Sequence, residues 1–392
     1  MAKTTKIAYA NIPESIYDLR FLEALKEEYE NIFLIFFEKQ KAKTFIPNGV
    51  KTVRLKDPFL LPIPLLLRLA GRNIEVGWIL KTLFRALIFK RCIKKLEPDL
   101  LIGHWLTGHY AFYCALSGFH PLLVGAWGTD VLIEPKKSWI FNLLARYTLK
   151  KADTVIVSAD VLKDAVIELG CNEKKVWVFP WGIDLDKFSP FSDGSKIKQK
   201  LGWTHNQIVI STRNHYQTYG VEHLIKAIPS IIREAPQARF LILGDGILTE
   251  GFREMAKRLG VEDCVSFPGK VPNDELSRYL SIADVYVSTS HSDGTSASLL
   301  ESMACGLPCV VTDIPANKEW IQNGVNGYLV PPKDSKILAD RIIHLLQNDK
   351  IRQGMSARNV GVSKARADWK NNVKIFYEAV QSSFRAGGDD KK

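Results

Sequence analysis

Ser292-Asp293-Gly294-Thr295-Ser296-Ala297-Ser298-Leu299-Leu300-Glu301-Ser302-Met303-Ala304-Cys305-Gly306-Leu307-Pro308-Cys309-Val310-Val311 runs from a strand end through small polar residues into a short helix. It then passes through Gly306-Leu307-Pro308 into a new strand. Gly and Pro end the helix because one frees the backbone and the other removes a donor. The unit is therefore strand, helix, strand, the element of parallel sheets. Small side chains leave the first backbone N–H groups of the helix open. The positive end of its dipole points the same way, an arrangement that suits a phosphate. Asp293 and Glu301 bracket the helix start with seven residues between them. Two carboxylates so spaced can reach different ends of one ligand. Alternatively Ser296 or Ser298 merely caps a helix and Glu301 is solvated. Spacing alone supports both readings equally.

The same alternation extends along the chain. Strand candidates are Ile7–Ala10, Ile32–Phe37, Leu100–Ile102, Leu122–Ala126, Thr154–Ser158, Val176–Phe179, Ile208–Ser211, Arg239–Leu243, Val265–Phe267, Val285–Ser288 and Cys309–Thr312. Amphipathic segments such as Leu224–Arg233, Phe252–Leu259 and Leu299–Ala304 lie between them. This pattern predicts an α/β protein with helices on both faces of parallel sheets. One layer of so many strands would be unusual, so two doubly wound, Rossmann-like domains are expected. Pro, Gly and Asp cluster at Phe179-Pro180-Trp181-Gly182-Ile183-Asp184, ahead of the polar run Ser189–Lys200. The expected domains are therefore 1–181 and 182–365, with a helix over 366–385 packing back on the first. The Gly- and charge-rich end, Ala386–Lys392, is expected to fray.

The 392 residues are 46% hydrophobic and 24% charged, which excludes a disordered or coiled-coil chain. Six cysteines are too sparse for a disulfide scaffold and show no metal-ligand pairing, so they read as reduced core thiols of a cytoplasmic protein. No secretory signal is visible, and the apolar run Phe59–Ala70 is broken by Pro62, Pro64 and Arg68. Net charge is +11, and residues 51–98 hold eleven basic against three acidic residues, +8 of that total. Within this block Trp78-Ile79-Leu80, Leu83-Phe84 and Leu87-Ile88 recur as a helical stripe, with Lys81, Arg85, Lys90, Arg91, Lys94 and Lys95 off it. Two readings stay open. Residues 59–95 could meet an anionic membrane surface, or the stripe packs inward and the basic face is solvated. No nucleic-acid module is present, so no nucleic-acid partner is expected.

The stretch Leu300–Val311 resembles the donor-site motif of GT-B glycosyltransferases of family 4 (glycosyl transferases group 1). That motif runs Glu, seven residues, Glu, then Ala-Met-Ala-Cys-Gly-x-Pro-Val-Val. This chain departs from it at Asp293, where the family has Glu, and at Ser302, where it has Ala. The shorter Asp implies a different reach to the donor sugar. The resemblance covers most of the chain. Ser211-Thr212-Arg213-Asn214 is similar to the family's Gly-Arg turn, and Tyr219-Gly220 stands where the family has Lys-Gly. Leu243-Gly244-Asp245-Gly246 resembles a strand-end Gly-x-Gly. Phe267-Pro268-Gly269-Lys270-Val271-Pro272 resembles the loop beside the nucleotide base. In the first half, Gly125-Ala126-Trp127-Gly128-Thr129-Asp130 is similar to the family's His-Gly-Ser-Asp loop, with Trp127 in place of His. His104 follows a strand on the same side. It reads either as a catalytic histidine or as a core or supporting one. Asp184-Leu185-Asp186 spells the metal motif of the other major glycosyltransferase fold, but in a linker it reads as turn and cap residues.

The resemblance implies two domains facing across a cleft, and retaining transfer of a sugar from a nucleotide diphosphate sugar to a lipid-linked or glycan acceptor in polysaccharide or glycolipid synthesis. It implies Glu301 on the ribose hydroxyls and Arg213 with the Ala297 and Ser298 N–H groups on the diphosphate. Asp293 and Gly294-Thr295-Ser296 would lie at the sugar, Tyr219 and Gly244 beside the phosphates, and Lys270 and Val271 at the base. His104 and Asp130 would serve on the acceptor side. No cofactor or essential metal is expected, since Arg213 and helix N–H groups can neutralise the leaving group. The expected location is cytoplasmic, with peripheral attachment to the inner membrane face as an option. A nucleotide-sugar epimerase, or a non-catalytic sugar-nucleotide or membrane-binding module, is the alternative.

Overall fold

The computed structural model describes residues 5–11, 16–37, 46–56, 74–107 and 110–389. The strands of its first sheet are β1 (Lys6–Ala10), β2 (Asn31–Phe37), β3 (Lys51–Leu55), β4 (Leu100–His104), β5 (Leu122–Ala126), β6 (Thr154–Val157) and β7 (Val176–Val178). The second contains β8 (Gln207–Ser211), β9 (Ala238–Leu243), β10 (Val265–Gly269), β11 (Val285–Ser288), β12 (Cys309–Thr312) and β13 (Gly327–Val330). The orders are β3-β2-β1-β4-β5-β6-β7 and β10-β9-β8-β11-β12-β13. Every named pairing is parallel, as in β1 with β4 and β8 with β11. The expected pair of doubly wound α/β sheets is thus what the chain forms.

Helices cover the sheets, so the central strands need no polar face. β4, β5, β6, β11 and β12 are buried along their whole length, which is why they read as unbroken apolar runs. β3 and β13 were not anticipated. β3 is an edge strand with Lys51, Thr52 and Arg54 exposed, so charge hides its strand character. β13 is the other sheet's edge and begins at Gly327, directly after the Asn323–Asn326 turn.

One compact unit comprises residues 1–179 and 373–392, the other 180–372. In the first, the helix Trp369–Asp389 lays Phe376 against Phe21 at 4.8 Å between ring centres, and Tyr377 Oη donates to the Ala24 carbonyl at 3.1 Å. In the second, Leu224, Ile228 and Ile231 of the helix Val221–Glu234 join Val209, Phe240 and Val287 in one buried core.

The basic helix spans Ile74–Leu96. It buries Thr82, Ala86, Phe89 and Ile93 and leaves Leu83, Phe84 and Leu87 exposed. The inward-packing reading of the 83–84–87 stripe is therefore corrected. The buried track is 82–86–89–93, one step round the cylinder, and its Phe89 meets Tyr113 of the neighbouring helix Tyr110–Ser117 at 6.3 Å between ring centres. The helix is apolar on two tracks, so periodicity alone does not choose between them. The run Phe59–Ala70 lies outside the described residues. Among the described residues, no helix is long and apolar enough to cross a membrane.

Candidate functional site

Parallel strands share a direction, so the segments following β8, β9, β10 and β11 emerge along one edge of the second sheet, where such folds bind ligands. Arg213, two residues after β8, organises that edge. Its Nη1 donates to Ser296 Oγ at 2.6 Å and Ser298 Oγ at 2.9 Å, and its Nη2 to Asp293 Oδ2 at 2.6 Å. The Tyr219 ring stacks on the guanidinium, 4.2 Å from ring centre to Cζ. Tyr286 Oη lies 2.9 Å from Ser298 Oγ and closes the cluster from the strand side.

Ser296 also caps the helix Ala297–Ala304, accepting the Leu299 N–H. The cap hydroxyl thus also holds the arginine at the positive end of a helix. A guanidinium beside a helix N-terminus is an arrangement that attracts anions. Glu301 lies one turn into that helix and is 5% exposed, which corrects the reading of a solvated carboxylate. Asp293, expected near the sugar, is committed to Arg213.

Two glycines permit the approach. Gly244 has φ 107°, and a Cβ there would lie 2.4 Å from the Arg213 carbonyl oxygen. Gly220 has φ 58°, and its Cβ would lie 2.5 Å from the Thr289 carbonyl. Thr289 Oγ1 donates to the Gly220 carbonyl at 2.8 Å, and the His291 N–H to the Thr218 carbonyl at 2.8 Å. The loops carrying Tyr219 and Asp293 are thereby fastened together. Beyond Gly269, Lys270 is exposed and Val271 half-buried, and the Gly244 N–H donates to the Gly269 carbonyl.

Two residues escaped the sequence reading. Tyr286 sits inside an apolar strand, where a phenol reads as packing. Buried His215 meets Thr249 Oγ1 through Nδ1 at 2.9 Å. Its place two residues after Arg213 was the available signal.

In the first unit His104 ends β4 and Asp130 follows β5, and both are wholly buried. Asp130 accepts the N–H groups of Trp127, Gly128 and Leu106 at 3.2, 2.9 and 3.1 Å. Burial nevertheless pushes its carboxyl up to about 6. Trp127 Nε1 donates to His104 Nδ1 at 2.9 Å. The imidazole packs against Tyr9 and Phe21, and burial pushes its pKa down to about 3, so it is neutral. A Cβ at Gly125 would meet the Trp127 ring at 2.6 Å. Histidine and aspartate together hold the 127–130 turn and present no surface of their own.

Asp184 accepts the Asp186 and Lys187 N–H groups, and Asp186 pairs with Lys370 in the open, so the D-x-D sequence is a turn. Among the described residues, the group with metal-ligand geometry is Glu222, His223 and His291.

Residues 193–382 match the family described as glycosyl transferases group 1, and residues 6–159 the family described as glycosyl transferase 4-like. The chain is 28% identical over 232 residues to the N-acetyl-alpha-D-glucosaminyl L-malate synthase of Bacillus anthracis, covering 59% of this chain and 60% of that one. It is 24% identical over 274 residues to the phosphatidylinositol N-acetylglucosaminyltransferase gpi3 subunit of Schizosaccharomyces pombe, covering 67% of this chain and 58% of that one. The matched region thus spans about three fifths of these curated relatives. Among solved structures, Anabaena HepE in complex with UDP and glucose superposes with a TM-score of 0.79 at 21% identity, covering 96% of this chain and 100% of that one.

Proposed function

We propose that this chain, which belongs to the glycosyl transferases group 1 family and has the GT-B fold, is a retaining glycosyltransferase that uses a nucleotide diphosphate sugar. The observation that carries this reading is the meeting of Arg213, Ser296 and Ser298 at the start of the helix that also holds buried Glu301. In this reading the Arg213 guanidinium and the Ala297 and Ser298 N–H groups hold the diphosphate. Glu301 accepts from the two ribose hydroxyls. Gly294-Thr295-Ser296 border the sugar. Tyr219 and Gly244 border the phosphates. Lys270 and Val271 lie at the base.

The bond from the anomeric carbon to the distal phosphate oxygen breaks, and a bond to the acceptor oxygen forms on the same face. The acceptor proton passes to the departing phosphate. Catalysis then rests on positioning and on stabilising the diphosphate charge, with no essential metal. His104 and Asp130 act as positioning residues through Trp127. HepE was solved with UDP and glucose, which makes UDP-sugars the first donors to test. Calorimetry against UDP-, GDP- and ADP-sugars should find one base preferred. Loss of donor binding in Arg213→Met, with the fold retained, should accompany loss of turnover. An Arg213→Met protein that binds donor as the native one does would refute the assignment.

The acceptor is proposed to be lipid-linked, in glycolipid or polysaccharide synthesis at the inner face of a membrane. The helix Ile74–Leu96 exposes Leu83, Phe84 and Leu87 beside Arg91, Lys94 and Lys95. The helix Trp139–Lys151, which also packs on Tyr110–Ser117, exposes Trp139 and Leu143 near Lys136 and Lys137 in the chain. Apolar side chains ringed by cations suit anionic headgroups. Native protein that ignores anionic vesicles at low salt would remove the membrane part. An epimerase reading predicts no lasting release of nucleoside diphosphate when acceptor is supplied. A non-catalytic module predicts donor binding without turnover.

A further inference from the structure

Beside the anion site, three ligand-bearing side chains meet within the second unit. Glu222 and His223 open the helix Val221–Glu234, and His291 comes from the segment after β11. One ligand atom from each lies within 4.8 Å of the other two. His223 Nε2 is 3.6 Å from Glu222 Oε1, and the two imidazoles pack edge to face at 5.3 Å between centroids. Glu222 Oε2 and His291 Nδ1 are buried without a hydrogen-bond partner in the protein. A buried polar atom left so is costly and calls for a reason.

We propose that Glu222, His223 and His291 form a site for a divalent cation of the zinc class. Two imidazoles and one carboxylate suit zinc and its transition-metal neighbours, whereas magnesium and calcium take oxygen shells. Ligand atoms about 2.1 Å from a tetrahedral zinc lie roughly 3.4 Å apart, so side-chain movements of about 1 Å close the set. Three protein ligands leave a fourth position for water. A bound ion would join the start of the helix Val221–Glu234 to the segment 289–293. It would thereby restrain both loops that lead to Tyr219 and Asp293. The site stands independently of the reaction proposed above.

The test uses the full chain stripped with chelator and titrated with cobalt(II), a spectroscopic stand-in for zinc. The expected result is saturable binding of one equivalent with visible bands of four-coordinate cobalt. Zinc should displace the cobalt and raise the melting temperature, while magnesium at the same concentration does neither. His291→Gln and Glu222→Gln should each weaken cobalt binding at least tenfold while melting like the native chain in chelator. Three results would overturn the site: no saturable cobalt spectrum in the native chain, a near-ultraviolet thiolate band placing the metal on cysteine, or an unchanged spectrum in either variant. The native spectrum decides the matter even where a variant fails to fold.

Discussion

Lowering the pH from 7 to 5 should act on the first unit through two buried groups of opposite sign. His104 has its pKa pushed from 6.5 to about 3 by burial. The unfolded histidine binds a proton that the folded one refuses, so its contribution is full above 6.5 and is lost as pH falls toward 3. Asp130 has its pKa raised from 3.8 to about 6. Here the folded carboxyl holds a proton that the unfolded one has released, so stability falls as pH rises from about 4 to 6 and returns on acidification. From these values, His104 costs about 2 kcal/mol between pH 7 and 5 and Asp130 restores about 1.3 kcal/mol, both to order of magnitude. The pair nearly cancels in the native chain. Asp130→Asn should therefore lose about 2 kcal/mol over that interval, and His104→Asn should gain about 1 kcal/mol. Urea unfolding followed by tryptophan fluorescence at both pH values reads this directly, since all other titrating groups are common to the three proteins. Parallel pH profiles for native and Asp130→Asn protein would refute the assignment of opposed buried charges.

Arg213→Met keeps the contact with Tyr219 but removes charge-assisted bonds of about 1.5–3 kcal/mol each, so affinity for a nucleoside diphosphate should fall about 10- to 100-fold by calorimetry. An unchanged affinity would mean the anion binds elsewhere. Asp293→Asn removes the carboxylate that shares Arg213, and binding of the free nucleoside diphosphate should tighten severalfold while turnover falls. Weaker diphosphate binding would show that Asp293 holds Arg213 in place rather than competing for it. Gly220→Ala puts a Cβ 2.5 Å from the Thr289 carbonyl at φ 58°. It should lower stability by about 2 kcal/mol or more, lowering the melting temperature of the second unit by several degrees; a native-like melt would show that the Thr289 segment yields.

The alternation of buried strands was legible because parallel strands covered on both faces advertise themselves as apolar runs. β3 was not, because an edge strand carrying Lys51 and Arg54 looks like loop. The helix start at Ser296 could be placed from small residues and spacing. That Asp293 binds Arg213 could not, since eighty residues separate them and only the order of strands in the sheet brings them together. His104 and Asp130 were visible as polar residues after strands, but a polar residue there can face ligand or core. Only the packing of Tyr9, Phe21 and Trp127 decides between those outcomes. On the helix Ile74–Leu96 two apolar tracks compete, and the buried one mixes Thr82 and Ala86 with Phe89 and Ile93, so hydrophobicity alone does not single it out.

The second unit is continuous, residues 180–372, whereas the first is interrupted and finished by residues 373–392. During synthesis the ribosome delivers all seven strands of the first sheet before the second unit, yet the helix that covers Phe21 and Phe179 emerges only after that unit. The unit begun before the other is completed after it. It waits with an aromatic face uncovered while its successor folds. A chain stopped before residue 373 would keep every strand of both sheets and still present that face to chaperones and proteases.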